Sequence, residues 1–349
     1  MLENIVDPLL QWYDGNKRSL PWREEPSAYH VWVSEIMLQQ TRVEAVKPYY
    51  KRFMQSLPDV KDLAVCPENK LLKLWEGLGY YNRVKNMQKA AVFVMEHYGG
   101  SLPADYEALL ELPGIGSYTA GAIASIAFGI PRPAVDGNVL RVISRVTEQE
   151  EDILKQSVKR KMEDALTHIM PAERPGDFNQ SLMELGATVC IPNGMAKCDS
   201  CPLKKLCLAK AHDRVMELPV KKAKKERRIE EKTILLIQNQ EEFAIHKRPA
   251  QGLLAGLYEY PGIDGFCTQQ EIIDYVESLG MTPLRVQYAG DAKHIFSHVE
   301  WRMKGYVVRI AGIEKKRIKG MTFVSKKEAK ENYPIPSAFR AYRKYIEED

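Results

Sequence analysis

Long hydrophobic stretches are missing from this sequence of 349 residues, although 45% of its residues are hydrophobic. No apolar run approaches the length that crosses a bilayer, so we expect no transmembrane helix. The residues after Met1 also lack the basic and then apolar layout of a signal peptide. We therefore expect a cytoplasmic protein in a reducing setting.

A large excess of charge of one sign is also missing. The 50 Lys and Arg residues nearly balance the 46 Asp and Glu residues, which leaves a formal net charge of +4. This moderate balance is compatible with binding to nucleic acid but does not require it. A local basic run lies at 221–228 and is typical of a solvated linker, which we place at 213–231; a connector that also touches DNA is the alternative.

Composition separates a helical first part from a mixed second part. The first part has apolar residues at helical spacing in segments 28–40, 43–54, 84–97, 105–111, 117–128, 138–146 and 153–169. The second part has strand-like runs at Thr233–Gln238, Phe243–His246, Val286–Ala289, His294–Phe296 and Trp301–Ile310, with helices predicted at 269–279 and 337–347. We predict an all-α domain over 1–212 and an α+β domain over 232–349.

Cysteine is scarce, with six residues, but four of them crowd together as Cys190, Cys198, Cys201 and Cys207. In a reducing setting this crowding indicates metal binding rather than disulfides. Four thiolates suit either tetrahedral zinc or a 4Fe–4S cluster. Zinc sites more often use two Cys-x2-Cys pairs, and this segment has one, so the short span favours the cluster. Zinc and a fortuitous grouping remain open.

A glycine-rich turn joins two predicted short helices. The first helix covers Asp105–Leu112, the turn reads Pro113-Gly114-Ile115-Gly116, and the second helix begins at Ser117. Glycines allow the backbone to approach a ligand closely, and the first N–H groups of a helix bind phosphate without base specificity. The pattern predicts a helix-hairpin-helix contact with DNA. A tight connector between two helices is the alternative.

Two carboxylates have surroundings that suit acid–base chemistry. Glu35 has Val31, Trp32 and Leu38 as helical neighbours, and an apolar environment raises the pKa of a carboxyl group, as a general acid requires. Asp136 precedes a predicted helix, whose dipole and N–H groups would keep it ionised. A fixed anion beside a proton donor fits glycosidic cleavage through an oxocarbenium-like state. A salt-bridged Glu35 and a purely structural cap at Asp136 are the alternatives.

In order and combination, these features resemble the MutY-type adenine DNA glycosylases of the endonuclease III-like helix-hairpin-helix superfamily. The matching motifs are Leu20-Pro21-Trp22-Arg23, Ser34-Glu35-Ile36-Met37-Leu38-Gln39-Gln40-Thr41, Gly77-Leu78-Gly79-Tyr80-Tyr81, Leu112-Pro113-Gly114-Ile115-Gly116-Ser117-Tyr118-Thr119, Val135-Asp136-Gly137-Asn138, the four cysteines and Phe296-Ser297-His298. One departure is that seven residues separate Cys190 from Cys198, where the family usually has six. The extra residue falls in Ile191-Pro192-Asn193-Gly194, which is typical of a turn.

The resemblance implies a role for each matching residue. Glu35 would protonate adenine at N7 and later handle the water, and Asp136 would stabilise the cationic sugar, with or without a transient covalent bond. Tyr118 and Asn138 would orient these carboxylates. The positions that would surround the flipped adenine are Arg18, Leu20, Trp22, Arg23 and Gln180. The positions that would contact DNA or the lesion are Gln40, Thr41, Leu78, Tyr80, Gly114, Gly116, Phe296, Ser297 and His298.

The second domain resembles a Nudix fold at Gly252–Gly262. A working Nudix hydrolase would follow with a helix carrying an Arg-Glu pair and two further metal-binding glutamates. The segment 269–280 lacks this glutamate cluster, so we predict binding rather than phosphohydrolase activity. The resemblance implies that this domain recognises the oxidised guanine.

The resemblance also implies subdivisions, a cofactor and a partner. The helical domain would comprise a six-helix barrel at about 20–130 and an iron–sulfur subdomain made of 1–19 and 131–212. One 4Fe–4S cluster would be bound by the four cysteines. The partner would be double-stranded DNA with an adenine:8-oxoguanine or adenine:guanine mispair. We expect a monomer, associated with the nucleoid if the source is a bacterium.

Two other functions stay open, namely an endonuclease III-type glycosylase/lyase acting on oxidised pyrimidines and a non-catalytic DNA-binding protein. A lyase would present a lysine after Gly116-Ser117 to form a Schiff base, and this sequence has Tyr118 there. The presence of both carboxylates in context disfavours a non-catalytic protein. We therefore predict a monofunctional glycosylase that flips adenine out of the duplex and hydrolyses its N-glycosidic bond.

Overall fold

A computed structural model of the protein describes residues 2–222, 226–312, 317–318 and 320–347. They form two compact units. The first unit holds the described residues of Met1–Cys66 and Lys85–Ala223, and the second holds those of Pro67–Val84 and Lys224–Asp349. The segment Pro67–Val84, which falls within the predicted barrel, thus groups with the C-terminal residues. Part of the predicted linker, 223–225, lies outside the described residues.

Helices build the first unit. In chain order they are α1 (Val6–Asn16), α2 (Pro21–Glu24), α3 (Ala28–Leu38), α4 (Val43–Ser56), α5 (Val60–Val65), α6 (Glu68–Leu74), α7 (Asn82–His97), α8 (Tyr106–Leu110), α9 (Ser117–Phe128), α10 (Gly137–Val146), α11 (Gln156–Ile169), α12 (Pro175–Thr188) and α13 (Leu208–Ala211), with 3-10 turns at Leu2–Ile5 and Cys198–Ser200. Of these, α6 belongs to the second unit and α7 begins in it. Within the described residues, no helix is long and apolar enough to cross a membrane.

The seven helices predicted from apolar spacing are all present. The sequence analysis did not predict α12, and its composition explains why. Asn179, Ser181 and Glu184 are buried polar residues on this helix, so its apolar period is weak. The helix is nevertheless central, because Phe178 and Leu182 pack with Val139 of α10 in one core cluster. Each large apolar side chain buried in this way contributes about 1.5–3 kcal/mol to stability.

A mixed sheet of eight strands forms the second unit. The strands are β1 (Arg228–Asn239), β2 (Glu242–Lys247), β3 (Tyr258–Glu259), β4 (Gly262–Asp264), β5 (Pro283–Ile295), β6 (Val299–Ile310), β7 (Arg317–Ile318) and β8 (Met321–Ser325). The order is β5-β6-β1-β2-β8-β7; β3 pairs with β2, and β4 with β1. Only β1 and β6 run parallel among the described pairs. β1 begins at Arg228, inside the segment that the sequence assigns to the linker.

Helices cover both faces of this sheet. Alternate residues of β1 point to opposite sides, so each face has its own core cluster. Ile234 and Leu236 join the core cluster that includes Phe339, whereas Leu235 and Ile237 join the cluster that includes Ile272 of α14 (Gln269–Ser278). The remaining helices are α15 (Lys326–Asn332) and α16 (Lys344–Glu347). The predicted helix 337–347 is a 3-10 helix over Ser337–Tyr342 followed by α16, and the two predicted strands at 286–296 are the single strand β5.

Candidate active site

One cleft in the first unit, with a volume of about 1170 Å³, collects most of the predicted site residues. Its walls come from α2, α3, α9, the start of α10 and α12. The predicted residues that line it are Glu35, Tyr118, Asp136, Asn138, Arg18, Leu20, Trp22, Arg23, Gln180, Gln40 and Thr41. Residues that are far apart in the sequence, and that were matched one by one, therefore share one cavity.

Glu35 lies on α3 with its side chain turned into the protein, and the residue is 6% exposed. The pKa of Glu35 is raised to about 7, mainly by burial and also by the charge of Asp136. The Tyr118 hydroxyl donates a hydrogen bond to Oε2 of Glu35, and this bond and the charge of Arg23 act in the opposite direction. Glu35 is thus buried and its pKa is raised, in the direction that its apolar neighbours predicted.

Asp136 is the N-cap of α10, as its position before the helix predicted. Its Oδ1 accepts hydrogen bonds from the backbone N–H groups of Asn138 and Val139, both at 2.8 Å, and its Oδ2 accepts one from the Asn138 side-chain amide at 2.6 Å. The helix dipole and these N–H groups were expected to keep Asp136 ionised, but the pKa of Asp136 is raised above its ordinary value. Burial is the largest influence and raises the pKa of Asp136, while the three hydrogen bonds lower it.

Arg141, one helical turn further along α10, holds the Asn138 side chain by a hydrogen bond. Its Nη2 donates to Oδ1 of Asn138 at 2.9 Å and to the carbonyl of Gly186 at 2.7 Å, and its Nε donates to the carbonyl of Cys190 at 2.7 Å. The sequence analysis did not single out Arg141. Its spacing of three residues from Asn138 places the two side chains on one face of the helix and is the signal that could have found it.

The opposite wall of the cleft carries a second polar cluster. Arg23 donates to Oε1 of Gln180 at 2.9 Å and to Oε2 of Glu184 at 2.8 Å, and Arg18 also bonds the Glu184 carboxylate. Glu184 was not predicted, although its spacing of four residues from Gln180 places both on one face of α12. Leu20 and Trp22 are buried and supply apolar surface to the same wall.

The four cysteines line one small cavity of about 30 Å³ beside α10. All are free thiols, and Arg145 Nη1 donates to Sγ of Cys190 at 3.2 Å. In the described part of the chain, no set of three or more His, Cys, Asp or Glu side chains is arranged to bind a single metal ion. Gly194 has a positive φ of 78° and lies in a bend between Cys190 and Cys198, where the extra residue of the cysteine spacing falls.

The predicted hairpin joins α8 to α9. Asp105 caps α8 by accepting a hydrogen bond from the Ala108 N–H at 2.8 Å. Gly114 has a φ of 79°, and a Cβ there would lie 2.7 Å from the Asn86 Cβ, so both the conformation and the space favour glycine. Gly116 precedes α9 with no side-chain cap, which leaves the first N–H groups of α9 suited to a phosphate.

Comparisons with known proteins agree with this arrangement. Residues 33–168 match the HhH-GPD superfamily of base excision DNA repair proteins, and residues 233–345 match the NUDIX domain. The adenine DNA glycosylase of Rattus norvegicus is 36% identical over 366 residues, covering 87% of this chain and 70% of the rat protein. That of Buchnera aphidicola subsp. Acyrthosiphon pisum is 33% identical, covering 86% of this chain and 85% of the relative. The chain belongs to the adenine DNA glycosylases.

Solved structures support the same fold for this adenine DNA glycosylase. A non-covalent endonuclease III–DNA complex is 25% identical, with a TM-score of 0.53, and covers 61% of this chain and 96% of that one. A thermostable thymine-DNA glycosylase is 28% identical, with a TM-score of 0.53, and covers 60% of this chain and 96% of that one. The protein is a DNA-binding enzyme of base excision repair, with an endonuclease III-like helical domain followed by a Nudix-like domain.

The remaining predicted residues of the glycosylase lie in its second unit. Tyr80 is 53% exposed with a positive φ of 47°, and its hydroxyl lies 3.1 Å from Oγ of Ser297. Ser297 and His298 are exposed. Phe296 is half-buried because its ring packs edge-on against Trp301, with centroids 4.9 Å apart. This ring contact holds Phe296 against the second unit, and its predicted contact with DNA or the lesion stays a prediction. Leu78, two residues before Tyr80, is buried.

Proposed function

We propose that this glycosylase removes adenine paired with 8-oxoguanine or guanine in duplex DNA, and that it is monofunctional. The observation that carries the proposal is the meeting of two unlike carboxylates in one cleft. Glu35 is buried with a pKa of about 7, and Asp136 is held by three hydrogen-bond donors. One group can deliver a proton while the other is fixed as an anion, as cleavage of a glycosidic bond requires.

The chemistry begins after the adenine has been flipped out of the base stack, since the bond cannot be reached inside the duplex. Protonated Glu35 gives its proton to N7 of adenine, and the C1′–N9 electron pair leaves with the base. The sugar becomes a cation, which the Asp136 carboxylate stabilises. Ionised Glu35 then accepts a proton from the water that attacks C1′. Tyr118 fixes Glu35 and offers no amine for a Schiff base, so the abasic product is released without strand cleavage.

Adenine specificity is assigned to the wall around Arg23. Leu20 and Trp22 provide apolar surface for the base plane, and Arg18, Arg23 and Gln180 provide donors and acceptors for its edges. A site that satisfies hydrogen bonds of one base leaves its own polar groups unpaired with another base, which discriminates more strongly than shape alone.

The opposing base is assigned to the second unit and to the end of α3. Tyr80 and Ser297 share a hydrogen bond, and His298 is exposed beside Ser297. Gln40 is exposed at a positive φ of 60°, a conformation that projects it from the turn after α3. We assign contact with the DNA or the 8-oxoguanine to these residues and to Thr41 and Leu78, as the resemblance implies. The polar groups of Tyr80, Ser297 and His298 can contact a base edge, and the second unit lacks the metal-binding Nudix glutamates.

The cysteine loop fits a 4Fe–4S cluster better than a single ion. The four cysteines line one cavity, and their short span with one Cys-x2-Cys pair favours the cluster over zinc. Cys190, Cys198, Cys201 and Cys207 would hold the cluster, with Arg145 as a countercharge near Cys190. When bound, the cluster would supply a rigid, charged core to the loop.

The deciding experiment incubates the full chain with duplexes that contain adenine opposite 8-oxoguanine, adenine opposite guanine, or an oxidised pyrimidine. Products are resolved with and without hot alkali. We expect adenine loss opposite 8-oxoguanine and guanine, with strand breaks that need alkali. Rapid nicking without alkali, together with borohydride trapping at a lysine, would instead establish the glycosylase/lyase. Binding without release of any base would establish a non-catalytic protein.

A further inference from the structure

A buried carboxylate lies among the residues that line the cleft. Glu184 is 1% exposed, and both of its oxygens face guanidinium groups. Arg18 Nε bonds Oε1, and Arg23 Nη2 donates to Oε2 at 2.8 Å. One anion thus serves two cations, which leaves the trio with one net positive charge. Removal of the Glu184 carboxylate would leave two net positive charges, and an uncompensated charge in a buried site is costly.

Arg23 is held firmly by its neighbours. Its Nη1 donates to the Arg18 carbonyl at 3.0 Å and its Nε to Gln180 at 2.9 Å, and its guanidinium lies 5.6 Å from the centroid of the Tyr13 ring. Among these contacts, Glu184 provides the anionic one. Because Arg23 also lines the cleft, its position and its effective charge both act on whatever the cleft binds.

The charge of Arg23 reaches the acid. The charged and titratable groups that face Glu35 are Tyr118 from α9, Asp136 from the start of α10, and Arg23 from α2. Arg23 acts to lower the pKa of Glu35. A fully uncompensated guanidinium would strengthen this effect and would also oppose the positive charge that develops on adenine and sugar.

We propose that Glu184 is a positioning residue for adenine excision, which fixes Arg18 and Arg23 at the wall of the cleft and offsets their charge so that Glu35 keeps its proton at working pH. The inference rests on the proposed role of Glu35 as the acid. Glu184 can supply the offset as an anion. Burial raises its pKa, but the hydrogen bonds and charges of the two arginines outweigh burial and the pKa is lowered.

The test follows single-turnover adenine excision by the full chain from about pH 5 to about pH 9. In Glu184→Gln the fall in rate at the basic side should begin at lower pH. A displacement of about one unit would reduce the rate about tenfold above the midpoint. Glu184→Asp, which retains the charge, should restore most of the profile. The matched control is Glu148→Gln, because Glu148 also accepts from an arginine, Arg214, and does not line the cleft.

A charge-balanced variant separates electrostatics from structure. Arg18→Gln together with Glu184→Gln restores one net positive charge, so its profile should move back toward the native one. If a thermal melt shows that Glu184→Gln does not fold, Arg18→Gln alone tests the proposal. The loss of a cation should move the basic-side fall in excision rate to higher pH. An equal loss of rate at every pH, with the midpoint unmoved, would overturn the proposal. Normal excision by Glu35→Gln would instead overturn the proposed function.

Discussion

Burial of Glu35 supports its role as an acid in the proposed reaction but makes the stability of the fold depend on pH. The group is protonated below a pKa of about 7 in the folded protein, whereas its ordinary value is 4.5. The folded state therefore retains a proton that the unfolded chain loses between these two values. The contribution of Glu35 to the free energy of unfolding is fully present below about pH 4.5. It is lost as pH rises toward 7, by about 3 kcal/mol in total.

We predict that Glu35→Gln abolishes adenine excision and that its stability relative to the native chain improves with pH. Glutamine keeps the shape but supplies no proton, and it does not titrate. The rate is measured by single-turnover cleavage and the stability by urea unfolding at about pH 5 and about pH 8. The native rate should itself fall as pH rises through about 7. A variant with a normal rate, or with a stability difference independent of pH, would contradict the assignment.

Asp136→Asn is predicted to separate capping from catalysis. Asparagine is also a good N-cap, so α10 should form and the melting temperature should change little. The fixed anion beside the sugar is lost, and removal of one such electrostatic contact costs about 10²–10³ in rate. The comparison of melting temperature with excision rate is decisive. A large loss of stability with a proportionate loss of rate would mean that the carboxylate is only a structural cap.

At the level of elements, the contact between α10 and α12 places Asn138 against Asp136. A Cβ on Gly186 would lie 2.6 Å from the Asn138 Cβ and 3.3 Å from Nη2 of Arg141. We predict that Gly186→Ala displaces Asn138 and lowers excision more than tenfold, because Asp136 loses an aligned donor. The matched control is Gly15→Ala in α1, where the space is open and alanine should stabilise the helix by about 1 kcal/mol. Equal, native-like rates in both variants would contradict this.

The cysteine loop is predicted to contain iron. Anaerobically purified protein should be brown and contain about four iron atoms per chain, as four thiolates around one cubane imply. Cys198→Ser should lose the colour and weaken DNA binding, while Cys267→Ser should have neither effect because Cys267 is not one of the cavity cysteines. Metal analysis and visible absorption measure this. One zinc per chain without iron would identify the alternative site.

At the scale of the whole molecule, lesion recognition should depend on the second unit. Ser297→Ala with His298→Ala removes two exposed groups from one loop, and each good contact to a base edge contributes about 1–3 kcal/mol. We predict at least about a tenfold fall in the ratio of excision rates opposite 8-oxoguanine and guanine, with the rate opposite guanine unchanged. An unchanged ratio at fixed salt would show that this loop does not read the lesion.

Deletion from residue 232 onward should affect both excision rates, whereas the double variant should affect only the rate opposite 8-oxoguanine. Pro67–Val84 groups with the C-terminal residues: Lys73 Nζ donates to the carbonyls of Ala329 and Tyr333, both at 3.2 Å, and Arg343 bonds Glu76 at 2.6 Å. A truncated chain loses these partners as well as the loop. We predict that it still excises adenine but more slowly opposite guanine too, and the same two rates measure it.

The sequence by itself determined local features of this protein. Apolar spacing predicted α4 and α11, because each buries one helical face and such burial needs that period. Asp136 was identifiable as a cap from its position before α10. The apolar neighbours of Glu35 were enough to predict a raised pKa. The cysteine spacing favoured a 4Fe–4S cluster and left zinc and a fortuitous grouping open.

Only the tertiary structure decided which distant residues act together. Glu184 meets Arg18 and Arg23, and Arg141 links Asn138 to the cysteine loop, through contacts between segments that are far apart in the chain. Local spacing could mark Arg141 and Glu184 as candidates, but it does not identify their partners in distant segments, because those contacts form only when the helices pack. The grouping of Pro67–Val84 with the sheet and the packing of Phe296 on Trp301 also arise from long-range burial, which spacing along one helix or strand does not encode.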